Sequence, residues 1–213
     1  MISVLLDLDG TLIDSIDAVV NCWIRAGKKM GMQLDPNSVR ELIGYSPRLH
    51  VLKYFNNKDM AKEFLRVVRN EFSKIWMNEV KPFRDSHEAL KSLKHMKVKI
   101  GVISSNFKET VRCMLEYFGF SDFLDVLICD NDVKNGKPAP DIVLEAMKRL
   151  EVSPHECFVV GDTLFDVEAG KRAGALTVLV VRRALHLTGS KYIPDYVISN
   201  LQDVATILKT YSY

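Results

Sequence analysis

Asp7 and Asp9, spaced i, i+2, close a short apolar run (Val4-Leu-Leu6) and are followed at once by Gly10 and Thr11. In a strand, alternate side chains share a face, so the two carboxylates converge on one spot. Carboxylates that close are unfavourable unless a cation sits between them or one keeps a proton. The chemistry the pair suits is therefore Mg²⁺ binding and acid/base work. Gly10 and Thr11 break the strand and put backbone N–H groups and a hydroxyl beside the acids. Asp-Gly is also a common turn pair, so a site differs from a plain turn only if other strand ends bring matching groups.

Other strand ends do. Ligands in open α/β sheets bind beyond the C-terminal ends of the strands. The run Gly101-Val-Ile103 leads into Ser104-Ser105-Asn106, residues 126–129 into a loop carrying Lys137, and Phe158-Val-Val160 into Gly161-Asp162-Thr163 with Asp166 beyond. Carboxylates for a metal, hydroxyl and N–H donors for phosphate oxygens, and a cation for developing charge are the parts of phosphoryl chemistry. Each part has a plainer reading. Asn106, with Glu109 three residues on, has capping-box spacing; Lys137 alone is a solvated loop lysine; Asp162 and Asp166 suit a helix N-terminus. Those readings together require coincidence at four strand ends.

The elements that must position these groups fall into two parts. Residues 15–81 read as helices only. Ile16, Val19, Val20, Trp23, Ile24 and Gly27 mark a helix over 16–30 that Gly31 can close; Ser38 with Glu41 has capping-box spacing for a second; Asp59 starts a long third. From Pro82 strands alternate with helices. Asp85 is expected to cap a helix to about Met96, residues 98–103 form a strand, 107–118 a helix, and 126–129 a strand. Pro140 opens a helix to about Leu150, followed by strands at 158–160, 176–181 and 196–198 and a last helix capped by Asn200. The alternation predicts right-handed βαβ units and an α/β, Rossmann-like parallel sheet core flanked by helices. The expected organisation is a discontinuous core, 1–14 with 82–213, interrupted by an all-helical cap, 15–81. Residues near Ser15 and Lys81–Pro82 would be its hinges.

Composition limits the classes. Apolar residues make up 47% and charged residues 26% of the 213, as in a soluble globular protein, and a net charge of +2 argues against nucleic acid as main partner. No apolar run is long enough for a membrane span, and the N-terminal run meets Asp7 at once without a basic stretch, unlike a signal peptide. Cys22, Cys113, Cys129 and Cys157 lack metal-site spacing and sit among apolar neighbours, the pattern of reduced core thiols in a cytoplasmic protein. Residues 15–81 hold twelve Lys/Arg against seven Asp/Glu. A basic cap facing an acidic core suits an anionic substrate; ordinary helix surface charge is the alternative.

Asp-Leu-Asp-Gly-Thr-Leu-Ile-Asp-Ser, Val-Ile-Ser-Ser-Asn, Gly-Lys-Pro-Ala-Pro-Asp and Val-Val-Gly-Asp-Thr-Leu-Phe-Asp, in that order, resemble the four motifs of the haloacid dehalogenase-like hydrolases. The helical insert is similar to the C1 cap of the phosphoglycolate phosphatase-like and β-phosphoglucomutase-like group. The resemblance implies a phosphatase for a small anionic metabolite such as phosphoglycolate or a sugar phosphate, with pyrophosphate a further candidate. It implies Asp7 as the nucleophile that forms an aspartyl-phosphate and Asp9 as general acid and base. Gly10, Thr11, Ser104, Ser105, Asn106 and Lys137 would hold phosphate. A Mg²⁺ ion would sit on Asp7, the Asp9 carbonyl and Asp162, with Asp166 ligating or supporting. Asp9 itself speaks against the dehalogenase branch, where no leaving alcohol needs a proton. A phosphonatase would need a Schiff-base lysine in the cap, for which Lys53 is the nearest residue.

Arg48, His50 and Lys53 are the cap's candidate substrate contacts, Arg48 first because a guanidinium binds a second anion bidentately. A β-phosphoglucomutase-type phosphomutase is the alternative, and a receiver-like phospho-regulatory module a distant third. Two stretches depart from the family pattern: Pro82-Phe83-Arg84-Asp85 where Pro-Tyr-Pro-Gly is usual, and Arg-Arg-Ala-Leu-His-Leu-Thr-Gly-Ser after Val181.

Overall fold

The computed structural model describes residues 1–182 and 191–211. Its elements in chain order are β1 (Ser3–Leu6), β2 (Ile13–Asp14), α1 (Ile16–Lys29), α2 (Pro36–Arg40), α3 (Pro47–His50), α4 (Lys58–Glu79), β3 (Lys81–Pro82), α5 (Ser86–His95) and β4 (Lys99–Ser104). They continue with α6 (Lys108–Tyr117), β5 (Val126–Cys129), α7 (Asp141–Leu150), β6 (Cys157–Gly161), α8 (Leu164–Arg172), β7 (Leu176–Val180), β8 (Tyr196–Ile198) and α9 (Asp203–Tyr211).

Six strands form one parallel sheet in the order β5-β4-β1-β6-β7-β8. Successive strands first step outward from β1 through β4 to β5, and the chain then returns to add β6 on the other side of β1. That reversal is a topological switch point, and it opens a crevice just beyond the end of β1. Helices cover both faces, which is why all four residues of β1, Ser3 included, are buried rather than alternating between buried and exposed. Val4 and Leu6 belong to one core cluster, with Leu90, Phe120 and Phe158; Leu5 points to the other, with Ile128, Ile142 and Ala146.

The helices between β2 and β3 build a third cluster around Trp23, Val39, Val51, Phe55 and Phe64. Their starts differ by a few residues from the expectation. Asp35 caps α2, with Pro36 in its first turn, because its carboxylate accepts the Ser38 N–H at 2.7 Å; Asn57, not Asp59, caps α4. Where the chain leaves and re-enters the sheet unit, Ile13–Asp14 pair antiparallel with Lys81–Pro82. These are the stretches expected as hinges, near Ser15 and Lys81–Pro82; the pairing itself is not legible in the sequence, since a two-residue strand leaves no periodicity. Three of the four cysteines are buried as expected, but Cys113 is exposed on α6.

Asp85 stands at the expected cap position of α5, yet makes no side-chain cap. Its carboxylate instead accepts both Nη groups of Arg182 at 2.7 and 2.9 Å and the Leu201 N–H at 2.7 Å. Arg182 Nη2 also reaches the Thr11 carbonyl at 3.0 Å, and the guanidinium lies 4.2 Å from the Phe83 ring centroid. The two departures from the family pattern thus meet in space, through Phe83, Asp85 and Arg182; residues 183–190 of the second lie outside the described residues. Asp85→Ala would strand a guanidinium whose side chain is 10% exposed. The expected cost is about 2–3 kcal/mol, read as a lower urea midpoint at unchanged m-value; an unshifted midpoint would rule the clamp out as a stabilising feature.

Candidate active site

Asp7 is the first residue past β1 and is held in register by its N–H, which donates to the Val160 carbonyl at 2.8 Å. Beyond β5, Lys137 comes in fully buried. Its Nζ donates to Asp7 Oδ1 at 2.5 Å, to Asp166 Oδ1 at 2.7 Å and to the Ile103 carbonyl at 3.4 Å. Past β6, Asp162 accepts the Thr11 hydroxyl at 3.1 Å. Asp7, Asp162 and Asp166 bring one oxygen each within 4.8 Å of one another. Asp9 faces a different set: Ser15 Oγ donates to it at 2.6 Å, and the Asn106 and Ser104 side chains also hydrogen-bond to its carboxylate.

The electrostatics separate the two aspartates. Burial pushes Asp7 well above the usual carboxylate range; Lys137 opposes this, and Asp166, Asp162 and Asp9 add to it. Burial, then the Asp166 charge, lifts Asp162 to about 7. Lys137 sees the imbalance from the other side. Burial disfavours its charge, but the Asp166 and Asp7 carboxylates outweigh that and hold its pKa above the ordinary lysine value. Burial also raises Asp9, with the Ser15 and Asn106 hydrogen bonds pulling back. Four carboxylates around one ammonium form an all-oxygen cluster short of positive charge, and that donor set fits a hard divalent cation such as Mg²⁺.

Asp7, Asp9, Ser104, Ser105, Asn106, Lys137, Asp162 and Asp166 all converge at the strand ends, but some do other work than expected. The Gly10 N–H donates to the Ile13 carbonyl at 2.8 Å and the Thr11 N–H to Leu8 at 3.3 Å, so neither is left for phosphate. Gly10 instead permits a close approach: at φ +86°, a Cβ there would stand 2.2 Å from Asp162 Oδ2. Ser105 Oγ donates to the Gly44 carbonyl at 2.7 Å, bridging the end of β4 and the helical insert. Asn106 does not cap α6; its Oδ1 accepts the neighbouring Phe107 N–H. Both oxygens of Asp166 are committed, one to Lys137 and the other to Thr163, whose hydroxyl donates at 2.6 Å as α8 begins.

A cavity above these acids is roofed by the helical insert. Of the three cap candidates, His50 lines it, while Arg48 and Lys53 do not. Arg48 is turned to the core, with Nε on Asp130 Oδ2 at 2.5 Å and Nη2 on the Asp130 and Val133 carbonyls at 2.7 and 3.1 Å. Beside it, the Ser46 N–H donates to the Lys137 carbonyl at 2.9 Å. Arg48 thus ties the helical insert to the loop after β5 rather than presenting its guanidinium to the cavity. Part of the insert's positive charge is paired within it, Lys29 and Lys74 on Glu71, Arg40 on Asp17 and Arg66 on Glu63, and two of its arginines, Arg48 and Arg69, pair outside it with Asp130 and Glu109.

Sequence reading missed Ser15 and Arg69. Arg69 lines the cavity, and its signal was its position: with Leu65, Val68 and Phe72 it falls at i+4, i+1 and i−3, a charge on an apolar stripe.

Comparison with known proteins agrees with the geometry. The family model for haloacid dehalogenase-like hydrolases matches residues 4–180. A phosphoglycolate phosphatase of Aquifex aeolicus is 30% identical over 96% of this chain and 95% of its own length. A pyrophosphatase PpaX of Oceanobacillus iheyensis is 29% identical, covering 97% and 96%. Among solved structures, a haloacid dehalogenase-like hydrolase of Bacteroides fragilis superposes with a TM-score of 0.86 at 26% identity, over 95% of this chain and 98% of that one.

Proposed function

The chain belongs to the haloacid dehalogenase-like hydrolase family and is a phosphatase within it; from that premise we propose Mg²⁺-dependent hydrolysis of a small phosphomonoester, in the size range of phosphoglycolate or a sugar phosphate, through an aspartyl-phosphate on Asp7. The observation that carries this reading is the unlike setting of two neighbouring carboxylates, Asp7 on the Lys137 ammonium and Asp9 on the Ser15 hydroxyl.

An Asp7 carboxylate oxygen attacks phosphorus as the ester P–O bond breaks. Asp9 gives its proton to the departing alkoxide, and burial, which raises its pKa, suits that duty. Asp9, now a carboxylate, takes a proton from water; the water oxygen attacks phosphorus and Asp7 leaves as a carboxylate. Lys137 steadies negative charge on Asp7 and the transferring group throughout. Asp7, Asp162 and the Asp9 carbonyl would hold the Mg²⁺, which screens carboxylate from phosphate so that the two can meet. Asp166 supports from behind, because both of its oxygens are already engaged. Ser104 Oγ, which accepts the Asn106 N–H at 3.1 Å and keeps its own hydroxyl hydrogen to give, and the Ser105 N–H are the phosphate donors in this reading.

We assign residues 15–81 as the cap and 1–14 with 82–213 as the core, with the β2/β3 ribbon as the hinge. The buried, unpaired thiols of Cys22, Cys129 and Cys157 support a cytoplasmic setting. Among the described residues, no helix is long and apolar enough to cross a membrane.

The test is phosphate release from a panel of phosphomonoesters. Release is expected with Mg²⁺, without any bisphosphate activator, and should disappear in EDTA and return when Mg²⁺ is restored. No release from any ester, or release indifferent to EDTA, overturns the reading.

A further inference from the structure

Lys137 arrives at the acids on a stretch with no regular structure of its own. Residues 133–140 belong to no helix or strand, although the Lys137 side chain is fully buried. Backbone carbonyls in such a stretch need donors from elsewhere. The helical insert supplies them. Arg48 Nη2 donates to the Asp130 carbonyl at 2.7 Å and to the Val133 carbonyl at 3.1 Å, and the Ser46 N–H donates to the Lys137 carbonyl at 2.9 Å. Arg48 Nε adds a charge-assisted bond to Asp130 Oδ2 at 2.5 Å, on a carboxylate that is itself buried.

The contact is close-packed. Ser46 lies against Gly136, the residue before Lys137, where a Cβ would stand 2.7 Å from Ser46 Cβ and 1.8 Å from Asp130 Oδ1. The same insert segment also reaches the lysine's second anchor. Tyr45 packs edge-on against Phe165, with ring centroids 5.2 Å apart, at the start of α8. There Thr163 holds Asp166, and Asp166 holds Lys137 Nζ.

We infer that Arg48 is a positioning residue for Lys137: by gripping Asp130 and Val133 it fixes the loop that carries the lysine, so the ammonium is set against Asp7 only while the insert is docked. This deepens the phosphatase reading and rests on it. Arg48 is not on the cavity wall, so it acts through Lys137 and not on the substrate. Lifting the insert to admit an ester frees the lysine's loop, and docking it again resets the ammonium. Closure and assembly of the site are then one event, and an error of about 1 Å in such a group is enough to slow the chemistry greatly.

The experiment measures kcat and KM with Mg²⁺ on a panel of phosphomonoesters that includes p-nitrophenyl phosphate and phosphoglycolate. The proteins are wild type, Arg48→Met, Lys137→Met and the double variant of the two. Arg48→Met should lower kcat by about tenfold or more, with KM little changed. In the Lys137→Met background the same substitution should change kcat by less than about twofold, because the group it positions is gone. Arg48→Met also strands the buried Asp130 carboxylate, so Arg48→Met/Asp130→Asn removes that charge. It should regain most of any lost thermal midpoint while kcat stays low, since the two carbonyls still lack their donor. Hydrogen exchange should quicken at the amides of 131–137 in Arg48→Met and stay unchanged in β1 and β4.

A raised KM at unchanged kcat would make Arg48 a substrate contact and overturns the inference. So does a full further loss of kcat in the Lys137→Met background, a kcat that returns with the midpoint, or unchanged exchange at 131–137. Each of these leaves the phosphatase reading standing. No turnover of any ester by the wild type overturns that reading itself, and the inference with it.

Discussion

Asp7→Asn is expected to lower phosphate release by about 10⁴-fold or more while leaving the protein folded and, in EDTA, at least as stable as the wild type. The two effects share one cause. Asp7 lies against Lys137 and beside Asp162 and Asp166; burial and then the two carboxylate charges raise its pKa, against the pull of Lys137. An amide at position 7 cannot attack phosphorus, and it also removes one of the crowded negative charges. Lys137 keeps Asp166 at 2.7 Å as its partner, so the ammonium is not orphaned. A residue retained only for packing would show the reverse, with stability lost and chemistry spared. Single-turnover release with a trapped acyl-phosphate should fail in the variant, while thermal unfolding in EDTA shifts upward or stays. Activity within tenfold of wild type would remove Asp7 from the mechanism.

The parts of this site that were legible in the sequence are those fixed by identity and local spacing. Asp7 and Asp9 end a buried strand, and Ser104, Lys137 and Asp162 each follow a strand; a parallel sheet with a switch point beside β1 brings such ends together whatever the side-chain details. The alternation of elements after Pro82 gave the sheet for the same reason. What was not legible depends on partners far away in the chain. Arg48 looks like an anion receptor until Asp130, 82 residues on, takes it. Asp85 looks like a helix cap until Arg182, 97 residues on, turns its carboxylate away. Gly10 and Thr11 look like phosphate donors because N–H groups are counted, but the turn they make satisfies those groups internally. Arg69 was readable in principle, as a charge on an apolar helical stripe; periodicity scans reward the apolar positions and pass over the exception.

Lys137→Met carries the largest combined effect. The side chain is 0% exposed and joins Asp7 to Asp166. Methionine fills similar volume and leaves both carboxylates uncompensated, a loss of about 3–5 kcal/mol near neutral pH in EDTA. Release of phosphate should fall by about 10²–10³-fold, the usual cost of one lost charge-stabilising donor. The pH dependence separates this account from simple loss of packing. Lys137 has a folded pKa above its unfolded one, so its stabilisation is fully present below about pH 10 and is undiminished across the working range. The carboxylates follow the same sign in a lower window: a raised folded pKa gives stability that is present below about pH 4 and is lost as pH rises through the folded value. Asp162, lifted to about 7, already gives the wild type that slope in EDTA. Removing Lys137 raises Asp7 further, because the ammonium that opposes the effect of burial is gone, so the deficit of the variant should be small near pH 5 and grow toward pH 8. Mg²⁺ should shrink it again by supplying positive charge to the same oxygens. In the Asp7→Asn background the same substitution should cost less, since one of the two stranded carboxylates is absent and the pair is in direct contact. A deficit constant from pH 5 to 8, or equal in the two backgrounds, would mean that Lys137 contributes through its shape and not its charge.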